Sequence, residues 1–325
     1  MKKYPTLLDL YRGSYATGIK YDPRGRKAIK KLLRIRKEDF EKLSLKYKAY
    51  VDLETLVNPY SDTRILHNQS KQIKKLAVGI DIDGSELLLI DRLNSKGAKI
   101  DAVLSHHPEG MALAKLSDVA EMQADIFSGM GASMSVAESL VEEQQKENFD
   151  YFAAENVLKL QNTASKLGIP LLCVHTPADN CVAHFLQKKM EKDKPETLQH
   201  IIDSILSIPE YREYAKHGSL PYIALGKPKR RVKNIFIDMT GGLEVPKDIY
   251  AELAAVGIDT IITMHCSSEG KEAIEEEKIN LVIAGHMPSD SLGINLLLDS
   301  LEPIFGITEI VPTSGFVRTM RLKKK

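Results

Sequence analysis

The chain has 325 residues, 43% of them apolar and 27% charged, which suits a globular protein of one large or two smaller domains and excludes a disordered or fibrous one. No run approaches the ~18 uncharged apolar residues of a membrane span, and residues 1–13 lack the apolar centre of a secretory signal. The net charge of +1 hides an asymmetry: residues 1–50 hold 15 Lys/Arg against 5 Asp/Glu, leaving 30 against 39 for the remainder.

The basic stretch "GRKAIKKLLRIRK" suits contact with nucleic acid or an acidic protein. It equally suits a solvated helix face that balances the acidic body of an oligomer, and no aromatic-rich RNA-binding motif accompanies it. "KLAVGIDIDG" predicts a buried strand ending in a polar turn, "SELLLIDRLNSKG" a helix closed by glycine, and "KIDAVLS" a second buried strand. A long helical stretch from about 112 to 167 follows, then a strand in "IPLLCVH" and a helix in "NCVAHFLQKKM". Cys173, Cys181 and Cys266 show no Cys-x-x-Cys spacing, so reduced thiols and a cytoplasmic location are expected. Residues 191–231 are polar and hold several prolines, which predicts a helical connector ending in the basic loop "GKPKRR". The chain then repeats itself. "NIFIDMTGGLEVPKDIYAELAAVGIDTIITMHCSSEG" follows the plan of "LAVGIDIDGSELLLIDRLNSKGAKIDAVLSHHPEG", matching Asp81 with Asp238, Asp101 with Asp259 and His107 with His265.

Continuous apolar strands alternating with helices predict parallel sheets covered on both faces. The expected organisation is a basic N-terminal extension (1–50), a first α/β lobe (51–182), a helical connector (183–232) and a second α/β lobe (233–325).

Three predicted strands end in histidine, in "DAVLSHHP", "IPLLCVHTPAD" and "INLVIAGHMPSD". Strand C-termini of a parallel sheet share one edge, where crevices form, so His106, His175 and His286 can meet there. His175 precedes Asp179, and His286 precedes Asp290, in the same His-x-x-x-Asp pattern. Taken singly, each histidine is an ordinary polar strand end and each aspartate a helix N-cap. Taken together, imidazole and carboxylate suit Zn, Mn, Fe, Ni or Co, and the absence of cysteine argues against a closed structural zinc site. Adjacent histidines on a regular strand point to opposite faces. At a strand end before Pro108 the backbone can turn and give one imidazole to each of two metals. Two metals ~3.5–4 Å apart need a bridging carboxylate, for which Asp179 and Asp290 are the candidates.

"SHHPEG", "HTPAD" and "AGHMPSD" resemble the motifs of the Ngg-one-interacting-factor-three-like family, also named GTP cyclohydrolase I type 2 homologues, over about residues 51–301. The resemblance implies two related α/β lobes, with mainly parallel sheets, facing a shared metal-binding cleft, and assembly into a hexameric toroid. It implies two divalent metal ions held by His106, His107, Asp179, His286 and Asp290, with His175 beside them as an outer partner or occasional ligand. Two departures stand out. The family's last ligand is usually glutamate, where this chain has Asp290, one methylene shorter. The apolar residues that commonly follow His-His-Pro in the family are here Glu109, Gly110 and Met111. In the second lobe "TMHCSSEG" matches the family's Thr-Gly-Glu segment only loosely, leaving the roles of His265 and Glu269 open.

The function expected first is a metal-dependent hydrolase, GTP cyclohydrolase-like by resemblance, acting on a phosphoester or nucleotide-like small molecule through a metal-bridged hydroxide. His175 or Glu109 would relay protons. A non-catalytic metal-binding regulatory or metal-trafficking scaffold is the alternative, and the basic extension, which hydrolysis does not require, favours it. A phosphoesterase of the Asp-His-His type fits less well, because Ser105 stands where that group has aspartate. No P-loop, Gly-x-Gly-x-x-Gly or Gly-x-Ser-x-Gly is present.

Overall fold

The computed structural model describes residues 4–306 and 309–321. The N-terminal half runs α1 (Leu7–Tyr21), α2 (Gly25–Lys42), α3 (Leu45–Lys48), β1 (Arg64–His67), β2 (Lys75–Gly79), α4 (Gly84–Ser95), β3 (Ala102–Ser105), α5 (Met111–Ala114), α6 (Glu121–Gly129), α7 (Met134–Ala153), α8 (Lys159–Leu167), β4 (Leu171–Cys173) and α9 (Thr176–Asp193). The C-terminal half runs α10 (Leu198–Leu206), α11 (Pro209–Ala215), β5 (Tyr222–Leu225), β6 (Ile235–Asp238), α12 (Ile249–Ala255), β7 (Thr260–Thr263), α13 (Ser268–Glu276), β8 (Asn280–Ile283), α14 (His286–Phe305) and β9 (Glu309–Pro312). Local chemistry sets the helix starts. Thr6 and Asp9 form a capping box at α1, and Asp83 caps α4 by accepting from the backbone N–H groups of Ser85 and Glu86.

The strands build two mainly parallel sheets, β1-β4-β3-β2-β9 and β5-β8-β7-β6, and the two superimpose in register. Gly79 pairs with Ser105 as Asp238 pairs with Thr263, and Ser105 pairs with Cys173 as Thr263 pairs with Ile283. The outer strands β1 and β5 are both antiparallel, and each carries an irregularity after its second residue. Asp101 and Asp259 both accept backbone N–H groups at the start of the neighbouring strand, from Lys74 and Lys75 or from Lys233 and Asn234. Asp101 and Asp259 are therefore equivalent, as are His107 and His265, six residues further on. Asp81 and Asp238 are not: the register places Gly79 opposite Asp238. The polar turn after β2 is offset by two residues from the one after β6, which the sequence match overlooked.

Alternation along the strands sends neighbouring residues into different cores. In the first sheet Leu76, Val78, Leu104 and Leu172 face α1, α9 and α14, while Ala77, Val103, Leu171 and Cys173 face α4 and α8. In the second, Phe236, Ile261 and Leu281 face α6 and α12, while Ile237, Ile262 and Val282 face α9 and α10. Helices α9 and α14 thus belong to both lobes and pack against each other in their N-terminal halves. A Cβ on Gly293 of α14 would stand 2.7 Å from the carbonyl oxygen of Ala178 in α9. Gly293→Ala should therefore force the pair apart and cost about 1–3 kcal/mol, read in a denaturant melt. A neutral result would mean that the helices separate freely.

Three expected boundaries do not coincide with the architecture. Residues 4–21 are no extension: Leu7, Leu10 and Tyr11 of α1 lie in the first lobe's core, because the positive charge is concentrated in α2 and α3. The connector contains β5, an edge strand of the second sheet. After α14 the chain returns to the first sheet, where β9 pairs parallel with β2. The helical stretch expected from 112 to 167 is divided among α5 to α8. Among the described residues no helix is long and apolar enough to cross a membrane.

Candidate metal centre between the lobes

The two histidines of "SHHP" follow β3, where the strand loses its regularity. Consecutive N–H groups, those of His106 and His107, donate to consecutive carbonyls of Gly79 and Ile80, at 3.0 and 2.9 Å. In a regular parallel strand they would point to opposite sides. Here the turn brings both imidazoles to one place, with ring centroids 5.3 Å apart. His175 stands immediately before α9, with Pro177 in that helix's first turn. His286 is the first residue of α14, which starts after Gly285 at φ 110°, a conformation that favours glycine. Neither Asp179 nor Asp290 is a helix cap; each lies inside its helix, one turn further on.

These residues converge where the N-termini of α9 and α14 meet. His106 Nε2 lies 3.4 Å from Asp179 Oδ1 and 3.5 Å from Asp290 Oδ1. His107 Nε2 lies 3.4 Å from Asp290 Oδ2, His286 Nε2 lies 3.5 Å from the same oxygen, and the two Nε2 atoms are 3.3 Å apart. His175 Nε2 is 3.7 Å from Asp179 Oδ2. Asp290 therefore turns one oxygen toward His106 and the other toward His107 and His286. His106, His175 and Asp179 form one group able to hold a metal ion, and His106, His107 and Asp290 another.

Three of the imidazoles are oriented from behind. Nδ1–H donates to the Val174 carbonyl from His106 (3.1 Å), to Asp81 from His107 (2.6 Å) and to Asp62 from His175 (2.9 Å). Each Nε2 is thereby aimed at the centre, the arrangement usual behind metal-ligating histidine. Asp290 and Asp179 are buried, and Asp290 Oδ1 and Oδ2 and Asp179 Oδ1 have no hydrogen-bond donor among the described residues. A buried carboxylate oxygen without a donor is costly. Anionic oxygens and facing imidazole nitrogens fit a divalent cation in either group, and the two groups have His106 in common.

The electrostatics agree with that chemistry. Burial, with His107, His265 and His106, drives His286 down to about 4 against the pull of Asp290, leaving a neutral imidazole at pH 7. Burial opposes a charge on His175 as well, but Asp179, Asp62 and Asp290 outweigh it and hold its pKa up at about 9. Burial opposes the Asp290 carboxylate, yet His106, His107 and His286 hold it well below the usual range. Burial raises Asp179 despite His175 and His106. A cation bound against Nε2 of His175 must displace its proton. Metal uptake at pH 7.5 should thus release protons, and apparent affinity should rise with pH toward 9. Calorimetric titration in two buffers of different ionisation enthalpy checks this. Identical heats would show that His175 keeps its proton.

A cleft of about 190 Å³ opens from the centre toward the second lobe. His175, Asp179 and His286 line one side, and Asp238, Thr263, Glu244 and His265 line the other, with no lysine or arginine among the described lining residues. Burial and the neighbouring Glu244 push Asp238 up to about 7. The His265 ring lies 4.8 Å from that of His286, while Glu269 is exposed on α13 and outside the cleft. Glu109 is also outside it. It lines a separate cavity with Asp83, Glu155 and Lys159, where burial and the carboxylate of Asp83 raise its pKa.

The His-x-x-x-Asp equivalence of the sequence is out of step by one residue. Val174 and Ala284 donate to equivalent carbonyls, Ser105 and Thr263, so His175 corresponds to Gly285 and Asn180 to Asp290. Sequence reasoning missed Asp62 and overlooked Asp81 as the partner of His107. Asp81 lies in "GIDIDG", where a polar strand end was legible. Asp62 lies 113 residues before His175, and no spacing connects them.

No protein-family model matches the sequence, and no curated protein matches it. Among solved structures, an NIF3 superfamily protein from Sphaerobacter thermophilus matches over 78% of this chain and 91% of its own, at 23% identity and TM-score 0.67. The chain has the NIF3-like fold. Other matches are reduced HcgD from Methanocaldococcus jannaschii (13% identity, 82% of this chain and 94% of that one, TM-score 0.47). A protein from Thermus thermophilus also matches (14% identity, 88% and 99%, TM-score 0.47).

Proposed function

We propose that this chain is a NIF3-like protein that holds two divalent metal ions and hydrolyses a phosphoester or nucleotide-like small molecule. The observation that supports this most is the division of Asp290, one buried oxygen toward His106, which also faces Asp179, and the other toward His107 and His286. His106, Asp179 and one Asp290 oxygen would hold one ion, with His175 beside it. His107, His286 and the other oxygen would hold the second. Bound there, divalent ions supply Lewis acidity and lower the pKa of water. Asp62 and Asp81 keep His175 and His107 in the orientation that presents Nε2. Asp238, with its pKa near 7, can hold or release a proton on the opposite wall of the cleft. No lysine or arginine is among the described residues that line the cleft, so the bound ions would match a substrate's negative charge there.

Glu109 is not assigned a proton-relay role, because it faces another cavity. The second reading, a metal-binding scaffold in a homo-oligomer, has its own support. Leu45, Tyr50 and Leu53, beside the basic α2, are 87%, 84% and 59% exposed, which suits contact with another chain.

Elemental analysis of the purified protein tests the metal reading: two ions per chain, and none in a His106→Ala/His107→Ala variant. Equal metal in both would end it. Phosphoester and nucleotide panels with Mn, Zn, Fe and Co then separate the readings, since stable metal without turnover favours the scaffold.

A further inference from the structure

The two sheets match strand for strand with one exception. In the first, β9 lies parallel on the outer edge of β2. In the second, the equivalent strand β6 pairs with β7 alone, and among the described residues no strand lies on its other side. A groove of about 800 Å³ runs there, between α6 on one face of the sheet, α9 on the other and the turn joining α1 to α2. It is lined by all four residues of β6, Ile235 to Asp238. Consecutive strand residues point to opposite faces, so a cavity touching all four lies along the strand's edge, where its backbone groups are offered.

The first lobe shows which groups those are. Val78 accepts from Thr313, and Ile80 donates to Ser314, on the side that β9 occupies. Their equivalents, Ile237 and Met239, together with Ile235, present N–H and C=O to the groove. We propose that this groove binds an extended peptide segment of a partner protein, added as a fifth strand parallel to β6. The edge is recessed, with Phe236 and Ile237 each only 8% exposed between the flanking helices. A second copy's β6, equally recessed, cannot reach it, whereas a single extended chain can.

Of the two exposed lysines lining the groove, Lys188 is already paired with Glu191 at 2.7 Å, while Lys20 has no ion pair among the described residues, and the partner segment accordingly offers Lys20 a carboxylate. The strand that fills the equivalent place does so too: Glu309 of β9 pairs with Lys75 of β2 at 2.8 Å. Asp238 and Thr240 line both this groove and the metal cleft. A parallel strand would end beside them, as β9 ends beside Asp81, whose carbonyl accepts from Ser314.

The test uses the full chain and a displayed library of random heptapeptides. Gly129 lines the groove, and a Cβ added there meets nothing within 4 Å, so Gly129→Trp fills the groove from its rim. Ile235→Pro removes an outward donor at the first residue of an edge strand, where proline is tolerated, and serves if the tryptophan variant fails to fold. Peptides selected on the wild type should alternate apolar residues and carry Asp or Glu. They should bind the wild type at least tenfold more tightly than either folded variant. A library that yields no peptide discriminating between them overturns the proposal. A wild-type dimer abolished by the same variants would also overturn it, placing a second copy in the groove.

Discussion

Asp290→Asn should strip the protein of its metal while leaving the fold in place. The side chain is wholly buried, and neither carboxylate oxygen has a donor among the described residues, while three imidazole Nε2 atoms stand 3.4–3.5 Å away. Asparagine keeps the volume, so no cavity opens. It removes the negative charge and turns an NH₂ toward one set of imidazoles. Under the proposed two-ion reading Asp290 serves both positions, so one substitution should weaken both. The expected loss exceeds the ~10–100-fold that follows removal of an outer partner. Dialysis against a chelator followed by elemental analysis measures it, and wild-type metal content in the variant would remove Asp290 from the ligand set. Thermal melts add a second check. A ligand that binds only the native state stabilises it in proportion to its affinity. The wild type should therefore gain much more from added metal than Asp290→Asn does.

The parts of this architecture legible in the sequence are those written in local periodicity. The apolar strands, the glycine closing the helix after β2 and the histidines ending β3 could all be read directly. Asp101 and Asp259 fell into register, as did His107 and His265, because the six-residue spacing across β3 and β7 is unchanged. Histidines distant in the chain met, but by another route than expected. His106 and His175 belong to the first sheet and His286 to the second, and the packing of α9 against α14 joins them. The aspartates looked like repeats of one motif, yet β4 leads to His175 before its helix starts, while β8 leads through Gly285 to His286 inside it. A one-residue difference at a helix start leaves the sequence pattern intact and shifts the geometry. The return of β9 to the first sheet is a long-range pairing that no local pattern records. The burial of α1 was masked by its neighbours, because Leu7, Leu10 and Tyr11 share a segment with the cationic face of α2.

Asp62→Ala should be among the most destabilising single changes in the molecule, although Asp62 does not face the metal positions. Its carboxylate is buried and accepts from His175 Nδ1 at 2.9 Å, from the Thr176 backbone at 3.2 Å and from the Thr176 hydroxyl at 2.5 Å. Alanine would leave a buried imidazole, an amide and a hydroxyl without their acceptor. Breaking a buried ionic pair from one side costs about 3–5 kcal/mol, and urea denaturation of the metal-free protein should show a loss of that order. A loss under about 1 kcal/mol would mean that water replaces the carboxylate without difficulty. Asp62→Asn keeps an acceptor for His175 and should lose less. Burial alone would raise the pKa of Asp62, but His175 and Thr176 outweigh it and lower the value in the folded state. The stabilisation is therefore complete above the unfolded carboxylate value of ~3.9 and is lost as pH falls through the folded one. Wild type and Asp62→Asn should accordingly differ most near neutral pH and converge in acid. The metal readout separates two roles. If Asp62 also aims His175, the folded asparagine variant should bind metal more weakly, by up to the ~10–100-fold expected of an outer partner. If Asp62 serves the fold alone, only the urea midpoint will move.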